Sequence, residues 1–238
     1  MILLRSALFN VFFFVTTFVL SVCGSAVSVA APGRVIVVVK AWARLELAAL
    51  RVICGIRWQV SGACPTGPAL IASHHESAFD TLIWFTLLPR PAYVLKAELA
   101  RIPLFGWLTR PAGMIAVDRD GGAGAMRGLM RDAAVAVAAG RQIVIFPEGT
   151  RAEPGTLLPL QPGVAALANS TGLPVIPIAT DSGRCWGRRA FRKRPGVIHI
   201  VVLPEIAPVR RQELLSRLDA ALRTGAAALR EAVDKAVG

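Results

Sequence analysis

At 238 residues the chain can bury one sizeable core, enough for a single catalytic domain with an appendage and too little for a second. Hydrophobic residues make up 54% of it and the mean hydropathy is +0.55, more apolar than a water-soluble domain needs, so part of the chain is expected to meet lipid. Lys and Arg number 27 against 15 Asp and Glu, which favours phosphate-bearing or anionic partners; the cations are scattered and the one Tyr leaves little base-stacking surface, so no nucleic acid is expected.

From Ser6 to Gly33 there is no charge, and FNVFFFVTTFVLSV is apolar enough to cross a bilayer or lie deep in one leaflet. The rival reading is a cleaved leader, with Ser28-Val29-Ala30 as its small-residue site, but the apolar stretch is longer than a usual leader core. Arg34, Lys40, Arg44, Arg51 and Arg57 follow the segment while Arg5 precedes it, so the carboxyl side is expected to stay cytoplasmic, on a cell membrane. Val35 to Ile56 reads as a helix with Lys40, Arg44 and Arg51 near one stripe, equally suited to packing on a core or lying on membrane phospholipids. Residues 1–57 are thus expected to be membrane-attachment helices, and residues 58–238 an α/β domain.

After Gly62 short β-type runs alternate with helical stretches. PALIASHH reads as a strand running into a loop and SAFDTLIWFTLL as the helix after it; AYVLK and GMIAVDR are short strands, and RGLMRDAAVAVAAG is a helix closed by glycine. RQIVIF, LPVIPIAT and GVIHIVVLP are strands, the first two buried by their apolar, β-branched runs, and Arg210 to Val237 is one amphipathic helix. The alternation predicts an α/β fold with a mixed, largely parallel sheet flanked by helices. Cys23, Cys54, Cys64 and Cys185 lack CxxC spacing and are expected to be reduced and structural; three scattered His give no metal site.

Three stretches could carry chemistry. In IASHHESAFDT, a helix starting near Ser77 puts Asp80 in its first turn and His75 in the loop before it; an unbroken helix would set them about 140° apart around the axis, so the loop is what lets them meet. An imidazole bonded to a carboxylate is fixed in one tautomer and gains basicity, as a general base needs, although the same spacing also suits a helix cap. His74 is read as a neighbour that shapes the loop, and backbone N–H groups near Ser77 as candidate oxyanion donors.

In IVIFPEGTRAEPG a buried strand delivers Glu148, Gly149, Thr150 and Arg151 to a turn, where glycine admits an anion to the backbone and Arg can grip phosphate; an ordinary surface turn has the same composition. Lys96 and Arg119 each follow an apolar strand, where open α/β sheets place ligand groups. Between them Ile102, Pro103, Leu104, Phe105, Trp107 and Leu108 form an apolar connection that fits a fatty-chain channel or plain core. A hydrolase would need a nucleophile, and neither a GxSxG elbow nor a suitably placed Cys is present; His199 reads as structural.

In this order HESAFD, GMIAVDR, FPEGTR and LPVIPIAT resemble the four blocks of the lysophosphatidic acid acyltransferases, within the wider glycerolipid acyltransferase superfamily. The resemblance covers roughly Leu4 to Pro208. It implies that residues 58–238 are an acyltransferase domain in which His75 is the base and Asp80 its orienting partner. It also implies that Glu148, Gly149, Thr150, Arg151, Arg119 and Lys96 hold the glycerol phosphate of a lysophospholipid acceptor. The donor would be acyl-CoA or acyl carrier protein, with no cofactor, and the product phosphatidic acid. Many relatives carry Tyr-Lys before the glycine that follows FPEGTR, where this chain has Leu160 and Gln161, so a lyso-ornithine lipid acceptor or a non-catalytic lipid-binding module stays open.

Overall fold

The computed structural model describes residues 1–118 and 121–237. Helix α1 (Ile2–Ala30) and helix α2 (Val35–Cys54) form an antiparallel pair joined by a single turn at Pro32–Arg34. Thr16 and Glu46 are hydrogen-bonded across the pair, and Trp42 Nε1 donates to Thr17 Oγ1 at 3.1 Å. Helix α2 ends two residues earlier than the apolar run suggests, because Gly55 at φ +69 turns the backbone left-handed. Ile56 then opens a strand that the run had absorbed. Lys40 does not reach outward: its Nζ donates to the carbonyls of Leu88 and Pro89, just past the end of α3, at 2.9 and 2.8 Å. Arg44 and Arg51 are exposed, and so are Val37, Leu45 and Val52, so the outward face of α2 carries both cations and apolar side chains.

Among the described residues seven strands form one sheet: β1 (Ile56–Ser61), β2 (Leu70–Ser73), β3 (Pro91–Lys96), β4 (Ile115–Val117), β5 (Gln142–Ile145), β6 (Val175–Thr180) and β7 (Gly196–Val202). Their spatial order is β1-β7-β6-β2-β5-β3-β4, all neighbours parallel except β6 and β7. The expected mixed, largely parallel sheet is therefore present. Helix α3 (Phe79–Leu87) joins α1 and α2 on one face. Helices α5 (Gly122–Ala138), α6 (Gly163–Thr171) and α7 (Arg211–Val237) cover the other, while α4 (Phe105–Thr109) is a short turn near α1.

Strand pleating divides the core. Ile71 and Val144 point toward α2 and α3, while Leu70, Ala72, Ile143 and Ile145 point toward α5, α6 and α7. Leu214, Leu218 and Leu222 recur every four residues along α7 and are fully or almost fully buried on that second face.

Two devices tie α1 to the body. Gly24 lets it approach α4, since a Cβ there would sit 3.0 Å from Leu108. At its other end the backbone N–H of Lys193 donates to Ser6 Oγ at 2.9 Å, and the buried ammonium of Lys193 bonds Asn10 and lies 4.9 Å from the ring centre of Trp186. The opposite face of α1 is exposed and apolar, including Leu8, Val11, Phe14, Phe18 and Val22.

Candidate active site

Strands β2, β3, β5 and β6 all run the same way, so their carboxyl ends meet along one edge of the sheet. Central β2 ends at Ser73, the chain loops through 74–78, and α3 begins at Phe79 with Asp80 in its first turn. His75 Nδ1 lies 3.0 Å from Asp80 Oδ2, as the loop-then-helix reading requires. The same oxygen accepts the backbone N–H groups of Glu76 at 2.9 Å and Ser77 at 2.8 Å. The tautomer with its proton on Nδ1 satisfies the contact with Asp80, and Nε2 is then the ring nitrogen left for another partner. The ring stacks on Phe146, with centroids 3.9 Å apart, and lines a cavity.

These bonds correct the expected oxyanion donors. The N–H groups of residues 76 and 77 are already spent on Asp80, and Ser77 Oγ accepts from Phe79 N at 3.1 Å. An anion beside His75 would need donors other than these three N–H groups.

Behind His75 lies a buried polar layer that the sequence shows only in outline. His74 Nδ1 faces the carbonyl of Thr180 at 3.3 Å, and its Nε2 faces the carbonyl of Thr156 at 3.1 Å and Glu148 Oε1 at 3.3 Å. Both ring nitrogens of His74 thus face acceptors. Glu148 Oε2 accepts the N–H of His75 at 3.2 Å, and Glu76 accepts those of Gly155 and Gly183 at 2.8 and 2.9 Å. Burial lifts the Glu148 carboxyl to about 7, opposed by His74 and by the backbone donors; burial likewise raises Glu76. His74 thus shapes the loop, as expected, by joining β2 to the segments that follow β5 and β6. Glu76 was not singled out from the sequence, although it stands within HHESAFD.

The cavity has a volume of about 670 Å³. His75, Gly149, Thr150, Arg151 and Lys96 all line it, so the sheet edge brings together the base and most of the expected phosphate ligands. Gly149 sits at φ +74, the turn a side chain would strain. Glu148 differs: it is 3% exposed, is not among the lining residues, and spends its oxygens on the 74–75 backbone and ring instead of facing the cavity. Arg119 lies outside the described residues. Burial lowers the Arg151 guanidinium; Asp80 pulls it back up, and Arg188 pushes it down again.

Much of the remaining wall is apolar. Leu20 of α1, Val39 and Trp42 of α2, Phe105 and Leu108 of the connecting segment and Leu129 of α5 all contribute. That segment does not act as one unit, since Ile102 and Trp107 are exposed. Arg188 and Arg189 also line the cavity, from the segment between β6 and β7, and were missed. The signal available was compositional: GRCWGRRAFRKRP is dense in cations.

The acyltransferase family model matches residues 57–181, from β1 to just past β6. The 1-acyl-sn-glycerol-3-phosphate acyltransferase of Pseudomonas aeruginosa is 36% identical over 169 residues, which is 70% of this chain and 66% of that protein. For the 1-acyl-sn-glycerol-3-phosphate acyltransferase alpha of Mus musculus the identity is 32% over 170 residues, 69% of this chain and 60% of that one. The chain thus covers less than two thirds of the length of either relative. The crystal structure of the 1-acyl-sn-glycerophosphate acyltransferase from Thermotoga maritima aligns over 97% of this chain and 98% of its own, with a TM-score of 0.74. At 19% identity that likeness is one of fold.

Proposed function

The chain belongs to the acyltransferase family, and from that premise we propose that it moves a fatty acyl group from a thioester to the free hydroxyl of a 1-acyl-glycerol-3-phosphate, giving phosphatidic acid. The observation that carries this reading is the His75–Asp80 pair, with His75 on the wall of a cavity lined by both cations and apolar side chains. Such a cavity suits a substrate with a phosphate head and a hydrocarbon tail. Relatives named for that acceptor support the choice.

In the reaction His75 Nε2 takes the proton of the acceptor hydroxyl as its oxygen attacks the thioester carbonyl carbon. The carbon–sulfur bond breaks, and the thiolate leaves with the proton returned by His75. Asp80 keeps Nδ1 protonated throughout and steadies the imidazolium formed on the way. Transfer is direct, with no acyl group on the protein. Arg151, Thr150 and Lys96 hold the phosphate, and Glu148 fixes the backbone of His75 from behind. The donor is acyl-CoA or acyl carrier protein, both of which present the same thioester.

The protein is attached to a membrane through α1, whose mean hydropathy reaches 2.0 over an 18-residue window, and its α/β domain faces the cytoplasm. The test is acyl transfer by the purified chain in micelles, from acyl-CoA to lysophosphatidic acid. Wild type should form phosphatidic acid and His75→Ala should not. An inactive wild type, or a His75→Ala variant as fast as wild type, overturns the proposal.

A further inference from the structure

Four cations line the cavity among the described residues: Lys96, Arg151, Arg188 and Arg189. Against them stands one lining carboxylate, Asp118, and none of the four makes a hydrogen bond or ion pair with a described residue. Arg151 comes from the turn after β5 and Arg188 from the segment after β6, so two separate parts of the fold bring guanidinium groups into one space. Their closeness is felt, because the Arg188 charge adds to burial in pushing Arg151 down. Asp80 offsets part of this at Arg151, but two like charges in one partly buried space still repel, and that cost is relieved when an anion sits between them.

The geometry points to Arg188 as a phosphate-binding residue of the acceptor site, paired with Arg151 across a doubly charged phosphate monoester. This rests on the acyl-transfer reading above and adds a second guanidinium, from a separate segment, to its phosphate site. A guanidinium presents a planar fork to phosphate oxygens, and two forks from different segments match a dianion better than a zwitterionic head group. Gln161 lines the same cavity and is uncharged, so Arg188 supplies a cation that the segment following FPEGTR does not. Phosphate also occurs on the donor, as the coenzyme or carrier phosphate. The placement of Arg188 with Thr150 and Arg151 in the His75 cavity favours the acceptor.

The test compares wild type, Arg188→Gln, Arg188→Lys, Arg188→Gln/Gln161→Lys and, as a surface control, Arg44→Gln, all as the full chain in detergent micelles. Kinetics with acyl-CoA and lysophosphatidic acid should show the acceptor KM of Arg188→Gln raised about tenfold or more, with kcat and the acyl-CoA KM changed less than about threefold. Arg188→Lys should fall between, and the added Gln161→Lys should recover at least part of the loss. Arg44→Gln should match wild type, and melting temperatures should stay together. A second arm measures lysophosphatidic acid binding without donor, by isothermal titration, so that it stands even if no transfer occurs. There Arg188→Gln should weaken binding by a similar factor. An unchanged acceptor KM and affinity in Arg188→Gln, a rise confined to the acyl-CoA KM, or a wild type that does not bind lysophosphatidic acid each overturns the assignment. Binding that depends on Arg188 in a wild type unable to transfer acyl groups would overturn the catalytic reading and leave the phosphate site standing.

Discussion

Asp80 Oδ2 is 3.0 Å from His75 Nδ1 and also collects two backbone N–H groups of the intervening loop, so one carboxylate oxygen sets both the tautomer and the position of the base. In Asp80→Asn the amide offers one acceptor and one donor group, cannot satisfy all three donors, and leaves the ring free to take the wrong tautomer. The expected result is a kcat lower by about 100- to 10,000-fold with little change in KM. His75→Ala should lose a similar amount, and the double variant little more than either alone, because the two act as one unit. Steady-state kinetics of the three variants checks this; additive losses would separate the roles.

Because His74 Nε2 lies 3.3 Å from Glu148 Oε1 in a layer almost without solvent, removing one side strands the other. His74→Ala should lower stability by about 1–3 kcal/mol, the usual cost of leaving a buried polar group without its partner. Adding Glu148→Gln should return part of it, with a coupling of about 1–3 kcal/mol in a double-mutant cycle read by denaturant unfolding. Independent, additive effects would show that the 3.3 Å contact carries no coupling.

Glu148 also predicts a pH dependence of stability. Burial raises its carboxyl from 4.5 to about 7 in the folded chain. A raised carboxyl binds more protons folded than unfolded, so its contribution is complete below about 4.5 and is lost as pH rises through about 7. Of the groups that face it, His74 opposes the rise and Glu76 adds to it. The melting temperature of wild type should therefore fall between these two pH values by more than that of Glu148→Gln. Equal slopes for the two proteins would remove Glu148 from the account.

The His75–Asp80 contact was legible because its geometry is local: loop and first turn lie within one short segment, and strand β2 announces itself by PALIAS. The parallel part of the sheet was legible for the same reason, from apolar runs separated by helical ones. Strand β1 was not, because the apolar run of α2 continues into Ile56 and only Gly55 marks the break. Helix α6, nine residues of GVAALANST, carries too short and too Ala-rich a pattern to stand out. The inward turn of Glu148 depends on His74, far away in sequence in the loop after β2, and Arg188 shares a cavity with Arg151 only through the side-by-side placement of β2, β5 and β6. Contacts of that type are set by sheet order, which no local spacing encodes.

Helix α1 separates two kinds of phenylalanine. Phe9 is fully buried against Trp186, ring centroids 5.4 Å apart, while Phe14 and Phe18 are 69% and 62% exposed on the face that nothing in the fold covers. A Phe side chain gains roughly 2 kcal/mol on leaving water, so Phe14→Ser/Phe18→Ser should weaken membrane partitioning at least about tenfold. Its melting temperature in detergent should not move, since neither ring packs in the core. Phe9→Ala should do the reverse, losing about 3 kcal/mol of stability through the cavity it leaves while the outer face still binds lipid. Liposome flotation alongside thermal unfolding distinguishes them. A Phe14→Ser/Phe18→Ser protein that floats as wild type does would place the lipid contact on another surface.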